Sequence, residues 1–262
     1  MRKIKPVLVG DHANSGDKHD LLQMNTKENK IMTESRCATC RIKSQSILRN
    51  CSAALLEEIS AEKTSQLVRR GQPLLTEGEE AKDIFCIRSG VAKVELHSKE
   101  GRALMLRLEG GGNIVGLRTA EKKDRQPLTI TAVENMQVCR LSPDQIFAAS
   151  AESKALQEDI TKSILIEIKS VEARALSLAF QAVKERVAWS LLHIAEVYGY
   201  RQGGCSIHVH LCRQDIADLA GTTKEQVSAM LAEFRKAKLV NFKAKHFKYF
   251  DLAGLRKLLE NS

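Results

Sequence analysis

A chain of 262 residues that is 43% hydrophobic and 28% charged has ample apolar material for one large domain or two small ones. It holds no apolar run of about 18 residues, which excludes a membrane-spanning helix, and the N-terminal patch PVLVG is shorter than the roughly 7–15 residue core of a secretory signal, so a cytoplasmic address is expected. The formal charge of +9 suggests a polyanionic partner without naming one.

Residues 1–34 are polar and aperiodic and read as a disordered tail. Next comes CATCRIKSQSILRNC, Cys37 to Cys51, with three of the seven cysteines. In a reducing compartment these are thiols or ligands, not a disulfide framework. The spacing alone leaves open a metal or cluster site, a redox pair, or small buried side chains. Residues 52–67 predict an amphipathic helix with Ser52 as N-cap and Leu55, Leu56 and Ile59 inward. From about Val68 to Leu141, short alternating runs separated by glycine turns predict an all-β domain.

A long helix follows from about Asp144 to Phe180, weakened near Ser150–Ser153. Leu156, Ile160, Ile164, Ile168, Val171, Ala175 and Leu178 form an a/d-like stripe. It could pack on its own β domain or pair with a second copy. Pairing is favoured, which makes Ile160, Ile164, Ile168, Val171 and Leu178 the candidate dimer residues. From Val183 the chain is helical again, with CSIHVHL as a strand and NFKAKHFKYFDL as two short strands. The expected organisation is a tail over 1–34, a β domain over 35–151, a helix over 152–182 and a C-terminal domain over 183–262.

Within that last domain, RQDIADLAGTTKEQVSAMLAEFRKAKLV reads as helix, tight turn at Gly221, helix. Ile216, Ala217 and Ala220 face inward on the first helix, and Val227, Met230, Leu231 and Phe234 on the second, with Thr222 or Thr223 as cap. A helix-turn-helix needs a small residue inside the first helix and polar residues opposite the core on the second. Lys224 can donate to guanine or phosphate, Glu225 can accept from cytosine N4, and Ser228 can do either. Arg213, Thr222 and Thr223 complete the candidate contacts. Lys236, Lys238, Lys243, Lys245 and Lys248 surround a hairpin that can serve as a wing against phosphates. From Val183 onward 13 Lys/Arg stand against 8 Asp/Glu, so over half of the excess positive charge lies here. The bland alternative is a helical hairpin with a solvated basic face.

This order of parts resembles the Crp/Fnr family of bacterial transcription regulators. IRSGVAKV (87–94) and GGNIVGL (111–117) are similar to the family's β-roll turns, and RQDIADLAGTTKEQVSAML to its recognition motif. The resemblance implies an α+β chain: an N-terminal cyclic-nucleotide-binding-like β-roll (jelly roll), a long dimerisation helix and a C-terminal winged helix-turn-helix. It implies a homodimer on a twofold-symmetric double-stranded operator, with RNA polymerase as a further partner and no membrane role. Cyclic-nucleotide members carry a Glu and an Arg–Ser/Thr pair for the cyclic phosphate. Here Leu117 and Arg118 stand at the first place and Gln126–Pro127 at the second, with Arg125 one position off. Pro127 has no backbone donor, and cyclic-nucleotide binding is disfavoured.

The Fnr-like branch binds a [4Fe–4S] cluster through N-terminal cysteines and one β-roll cysteine, and is thought to answer oxygen, NO or redox state. NMQVCRLSPDQIF resembles its β-roll cysteine segment, which places Cys139, and Cys37–Cys40 supplies a CxxC. The family's third N-terminal cysteine lies about five residues beyond the CxxC. That region here reads RIKSQSIL, and Cys51 comes later, as a ligand or as the first core residue of a helix. Cys37, Cys40, Cys51 and Cys139 are thus the candidate ligands. Soft donors suit iron–sulfur or zinc, and a site with zinc or no cofactor and another small-molecule effector stays open. Cys86 and Cys205 read as structural. His208, His210 and Cys212 alternate on one strand and could grip a metal, and His97 could ligate haem; core or surface roles are favoured for all four. Ala229 stands where many relatives place a base-reading Arg. A thiol oxidoreductase would need its CxxC at a helix start in a βαβ unit, which is absent here, so no enzyme is expected. A non-DNA interaction module with a cyclic-nucleotide-like fold is the alternative of another class.

Overall fold

The computed structural model describes residues 36–80, 82–117, 125–199, 207–243 and 246–260. The predicted tail, Arg118, Cys205 and Lys245 lie outside them.

The CxxC segment enters through two short 3-10 turns, Cys37–Thr39 and Lys43–Gln45. Helix α1 (Ala53–Glu62) follows, and the Ser52 side chain accepts from the Leu55 N–H as predicted. The helix is shorter than its sequence suggests. Residues 64–68 extend into β1 (Thr64–Val68) because β8 (Met136–Leu141) offers them a full antiparallel ladder. Tertiary pairing outweighs local preference there.

Strands β2 (Pro73–Leu75), β3 (Ile84–Ser89), β4 (Ala92–His97), β5 (Ala103–Glu109), β6 (Ile114–Val115) and β7 (Thr129–Ala132) complete the β domain. They form two antiparallel sheets of four, ordered β1-β8-β3-β6 and β2-β7-β4-β5. Each sheet draws strands from both ends of the domain, as a rolled sandwich requires. Strand β3 shows the two-faced logic. Phe85 and Ile87 join the core between the sheets, while Ile84 and Cys86 face a second core under α1.

The predicted long helix is broken. Helix α2 (Pro143–Glu152) and α3 (Lys154–Phe180) meet at Ser153, whose hydroxyl accepts from Leu156 N–H. The weakness read at Ser150–Ser153 is therefore a full boundary, with Ser153 capping the second helix. Leu156 and Ile160 are buried in the same cluster as Cys37, Cys51, Cys86 and Cys139.

Helix α4 (Val183–Tyr198), β9 (Ile207–His208), α5 (Arg213–Ala220), α6 (Lys224–Lys236), β10 (Val240–Lys243), β11 (His246–Phe250) and α7 (Leu252–Glu260) make the C-terminal domain. The wing has three strands, ordered β10-β11-β9. Of the described residues of CSIHVHL, Ile207–His208 join it as β9. The core of this domain is not closed on itself. It includes Val91, Met105, Leu108 and Val133 from the outer side of the β domain.

Candidate nucleic-acid interface and thiol pocket

Gly221 makes the turn between α5 and α6 in left-handed backbone, at φ +60°. A Cβ there would meet Leu178 Cδ2 at 2.4 Å, so the position needs glycine on both counts. Ile216, Ala217, Ala220, Val227, Leu231 and Phe234 are all buried as predicted, with Met230 packed at the edge. Thr223 caps α6, accepting from Gln226 N–H at 3.3 Å. Thr222 is half-buried and bonds the Gln226 side chain.

Lys224, Glu225, Ser228 and Ala229 are exposed on the first turns of α6. The Ser228 hydroxyl donates to Lys224 O at 2.9 Å. Lys236, Lys238 and Lys243 are exposed beside them. Arg213 is placed differently from the other candidates. Its guanidinium lies 4.6 Å from the Phe242 ring centroid and is half-buried, where desolvation lowers its pKa. It braces the wing against α5, a role invisible without the fold.

The turn is tied to the C-terminal end of α3. Arg186 donates to Gly221 O at 3.3 Å and to Gln181 O at 3.2 Å. Arg174, only 2% exposed, donates to Leu219 O and lies 5.2 Å from the Trp189 ring centroid. Burial and the nearby Arg186 bring its pKa down to about 10, and its Nε and Nη1 have no partner. On the other side, α5 is pinned to the β domain. Lys93 reaches Glu95 at 2.8 Å and Asp215 at 3.4 Å. His210 Nδ1 lies 2.5 Å from Glu134 Oε2, and Arg70 donates to His210 O at 3.1 Å. His210 is thus part of this seam, and Cys212 sits exposed at the N-cap of α5. Leu108 N–H donates to His193 Nε2 at 3.0 Å. Burial first, then Arg107 and Arg174, push the His193 pKa down to about 4.

The predicted dimer stripe splits. Ile160 is buried against its own β domain and Leu178 packs on Gly221. Ile164, Ile168 and Val171 are exposed at 36%, 48% and 37%, with Leu165, Leu176 and Phe180 beside them.

The second constellation is a cavity of about 20 Å³ lined by Cys37, Cys40, Cys86 and Cys139, with Lys43, Lys63, Arg88 and Ser46. Cys37 and Cys40 come from the first 3-10 turn, and Cys86 and Cys139 are opposite residues of β3 and β8. Cys51 is 7% exposed but does not line the cavity. Lys63 Nζ donates to Cys37 Sγ at 3.4 Å, and Ser65 Oγ lies 3.7 Å from Cys139 Sγ. Burial pushes the Cys86 thiol up to about 12 and raises those of Cys139 and Cys51. As placed, no three His, Cys, Asp or Glu side chains among the described residues stand close enough to hold one metal ion. The donor set nevertheless suits a soft metal centre: four thiols, no carboxylate on the wall, and cations able to offset thiolate charge.

Cys86 reads as structural in the sequence, where one apolar strand looks alike on both faces. Only its register against Cys139 brings it to the pocket. Arg125 is exposed and donates to Gly78 O at 2.7 Å. The described residues around Gln126 and Pro127 enclose about 30 Å³. His97 pairs with Glu77 at 3.7 Å.

A β-roll followed by a long helix and a winged helix-turn-helix with exposed polar residues on its second helix defines a DNA-binding transcription regulator, not an enzyme. The pattern of Crp-like helix-turn-helix domains matches residues 185–258, and that of cyclic nucleotide-binding domains matches residues 65–153. Together the two patterns cover the β domain and the winged helix in the order in which Crp/Fnr regulators carry them, and the chain is similar to that family. It is 27% identical over 227 residues to the fumarate and nitrate reduction regulatory protein of Vibrio cholerae, covering 81% of this chain and 90% of that one. It is 26% identical over 220 residues to the anaerobic regulatory protein of Haemophilus influenzae, covering 81% and 85%. Its fold matches FixK2 from Bradyrhizobium japonicum with a TM-score of 0.68 at 20% identity, covering 75% and 96%.

Proposed function

We propose that this regulator acts as a homodimer on a twofold-symmetric operator, with its DNA affinity set by an iron–sulfur centre on cysteines that include Cys37, Cys40 and Cys139. The observation that carries the reading is that both ends of α3 are occupied. Its first turns pack on the cysteine cluster, and its last turns hold the helix-turn-helix turn.

The seam of the dimer is the exposed face of Ile164, Ile168 and Val171, which a copy of α3 would cover in knobs-into-holes fashion. Two α6 helices would then enter successive major grooves. Lys224, Glu225 and Ser228 reach base edges there, while Lys243, Lys245 and the other wing lysines meet phosphates. The centre, when bound, supplies a redox- and oxygen-labile anchor across four thiolates. The chain's own residues transmit its state. Arg49 and Asn50, just beyond the cysteine turns, bond the carboxylate of Asp159 on α3, which is 2% exposed. Arg49 and Asn50 follow the cysteine turns in the same segment, so a change at those turns would reach α3 through Asp159. Arg174 and Arg186 pass that shift to Leu219 and Gly221.

Anaerobic preparation followed by sizing and a gel-shift series against salt tests the reading. A dimer that binds DNA steeply salt-dependently, and loses affinity together with iron on exposure to air, supports it. A DNA affinity indifferent to iron and air overturns the sensing half. A monomer on DNA overturns the dimer.

A further inference from the structure

We infer that Cys86 is the fourth thiolate of the centre, in place of the third N-terminal cysteine that the family pattern leads one to expect. This rests on the metal-centre reading above, in that the pocket is taken to hold a soft metal.

Three observations carry it. First, Cys86 is the antiparallel partner of Cys139 in the β3–β8 ladder, and both side chains point into the same cluster. Directly opposite residues bring their Cβ atoms to about 4.5–5.5 Å, so two ligands are preset by the sheet with no loop to order. Second, Ser46 stands six residues beyond Cys40, close to where the family's third cysteine is expected. It is 3% exposed and lines the same cavity. Its hydroxyl is already used, donating to Lys43 O at 2.9 Å and accepting from Leu48 N–H at 3.2 Å, so serine closes a local turn there. Third, Arg88 lines the cavity and its Nε is buried with no hydrogen-bond partner. Neutral thiols would give that guanidinium little to compensate; a tetrathiolate centre is anionic and would. Cys51 shares the buried cluster with Cys37, Cys86 and Cys139 but, unlike them, is absent from the cavity wall.

The geometry therefore assigns two ligands to the CxxC turn and two to the β3–β8 ladder. The experiment compares the full-length wild type with Cys86→Ala, Cys51→Ser and Ser46→Ala. All four are reconstituted anaerobically with ferrous iron and sulfide, and separately loaded with cobalt(II) as a spectroscopic thiolate counter. Iron, sulfide and the thiolate-to-cobalt absorption are read, with thermal unfolding of the metal-free proteins as the control for folding. The expected result is about four iron per chain in wild type, Cys51→Ser and Ser46→Ala, and a loss of at least tenfold in iron in Cys86→Ala. Full iron in Cys86→Ala with loss in Cys51→Ser overturns the assignment. Should Cys86→Ala fail to fold, X-ray absorption of zinc-loaded Cys51→Ser protein decides: four sulfur neighbours support Cys86, and three or fewer overturn it. Four thiolates on cobalt with no iron uptake keep Cys86 as a ligand and overturn the iron–sulfur reading alone. A wild type that takes up neither metal overturns both.

Discussion

His193 is a half-buried imidazole that accepts from Leu108 N–H and stacks on Trp189 at 5.3 Å between centroids. Its folded pKa of about 4 lies below the ordinary value of about 6.5, so the unfolded chain binds the extra proton in that window. The stabilisation is full above pH ~6.5 and is lost as pH falls toward ~4, by about 3 kcal/mol at most. Denaturant midpoints should fall over that range, and His193→Gln, which keeps an acceptor for Leu108, should flatten the slope. A second residue-scale prediction concerns Ala229, exposed one place beyond Ser228. Ala229→Arg adds a bidentate guanine donor to the reading face. Selection of bound sites from random DNA should then show a new G·C preference in each half-site, worth about 1–3 kcal/mol. Thr223→Ala should cost about 1 kcal/mol of stability through loss of the α6 cap, measured by urea unfolding.

At the scale of elements, α3 is the connecting part, and its two ends are held by different chemistry. The Arg49–Asp159 pair holds one end and the Arg174 and Arg186 guanidiniums the other. Asp159→Asn should leave the cysteine pocket and the DNA-reading face intact but weaken the link between them. Metal content should be unchanged while the ratio of DNA affinities with and without metal falls severalfold in gel shifts. Much of this layer was legible from the residues. Alternation gave the β domain, and the spacing from Arg213 to Phe234 gave the helix-turn-helix. The break at Ser153 was visible only as a weakness, because a serine in a helical run reads equally as tolerated or as a cap. Residues 64–67 continued the helical pattern but were taken by β8, a partner over seventy residues away. Arg213 read as a DNA contact, since nothing local shows that Phe242 will lie beneath it.

For the whole molecule, the exposed side of α3 and the basic C-terminal face set how the chain assembles. Ile168→Glu places a charge in the middle of the apolar seam, and a monomer should appear at micromolar concentration in analytical ultracentrifugation, with operator affinity lost in parallel. The cysteine pocket was the part least readable in advance. Cys37, Cys40 and Cys139 stood out by resemblance, but the fourth member of the wall depends on strand register, which a single sequence does not encode in any local signal. The seam between the two halves was equally hidden: Lys93, Glu134 and His210 gave no hint that they would meet their partners.

That seam limits how this regulator can be taken apart. Val91, Met105, Leu108 and Val133 belong to the β domain by sequence but to the winged helix by packing. The C-terminal half is therefore not a portable module. Grafted onto another sensor it would carry an unfilled apolar socket, and a working chimera would have to bring β5 with Val91 and Val133 along with it.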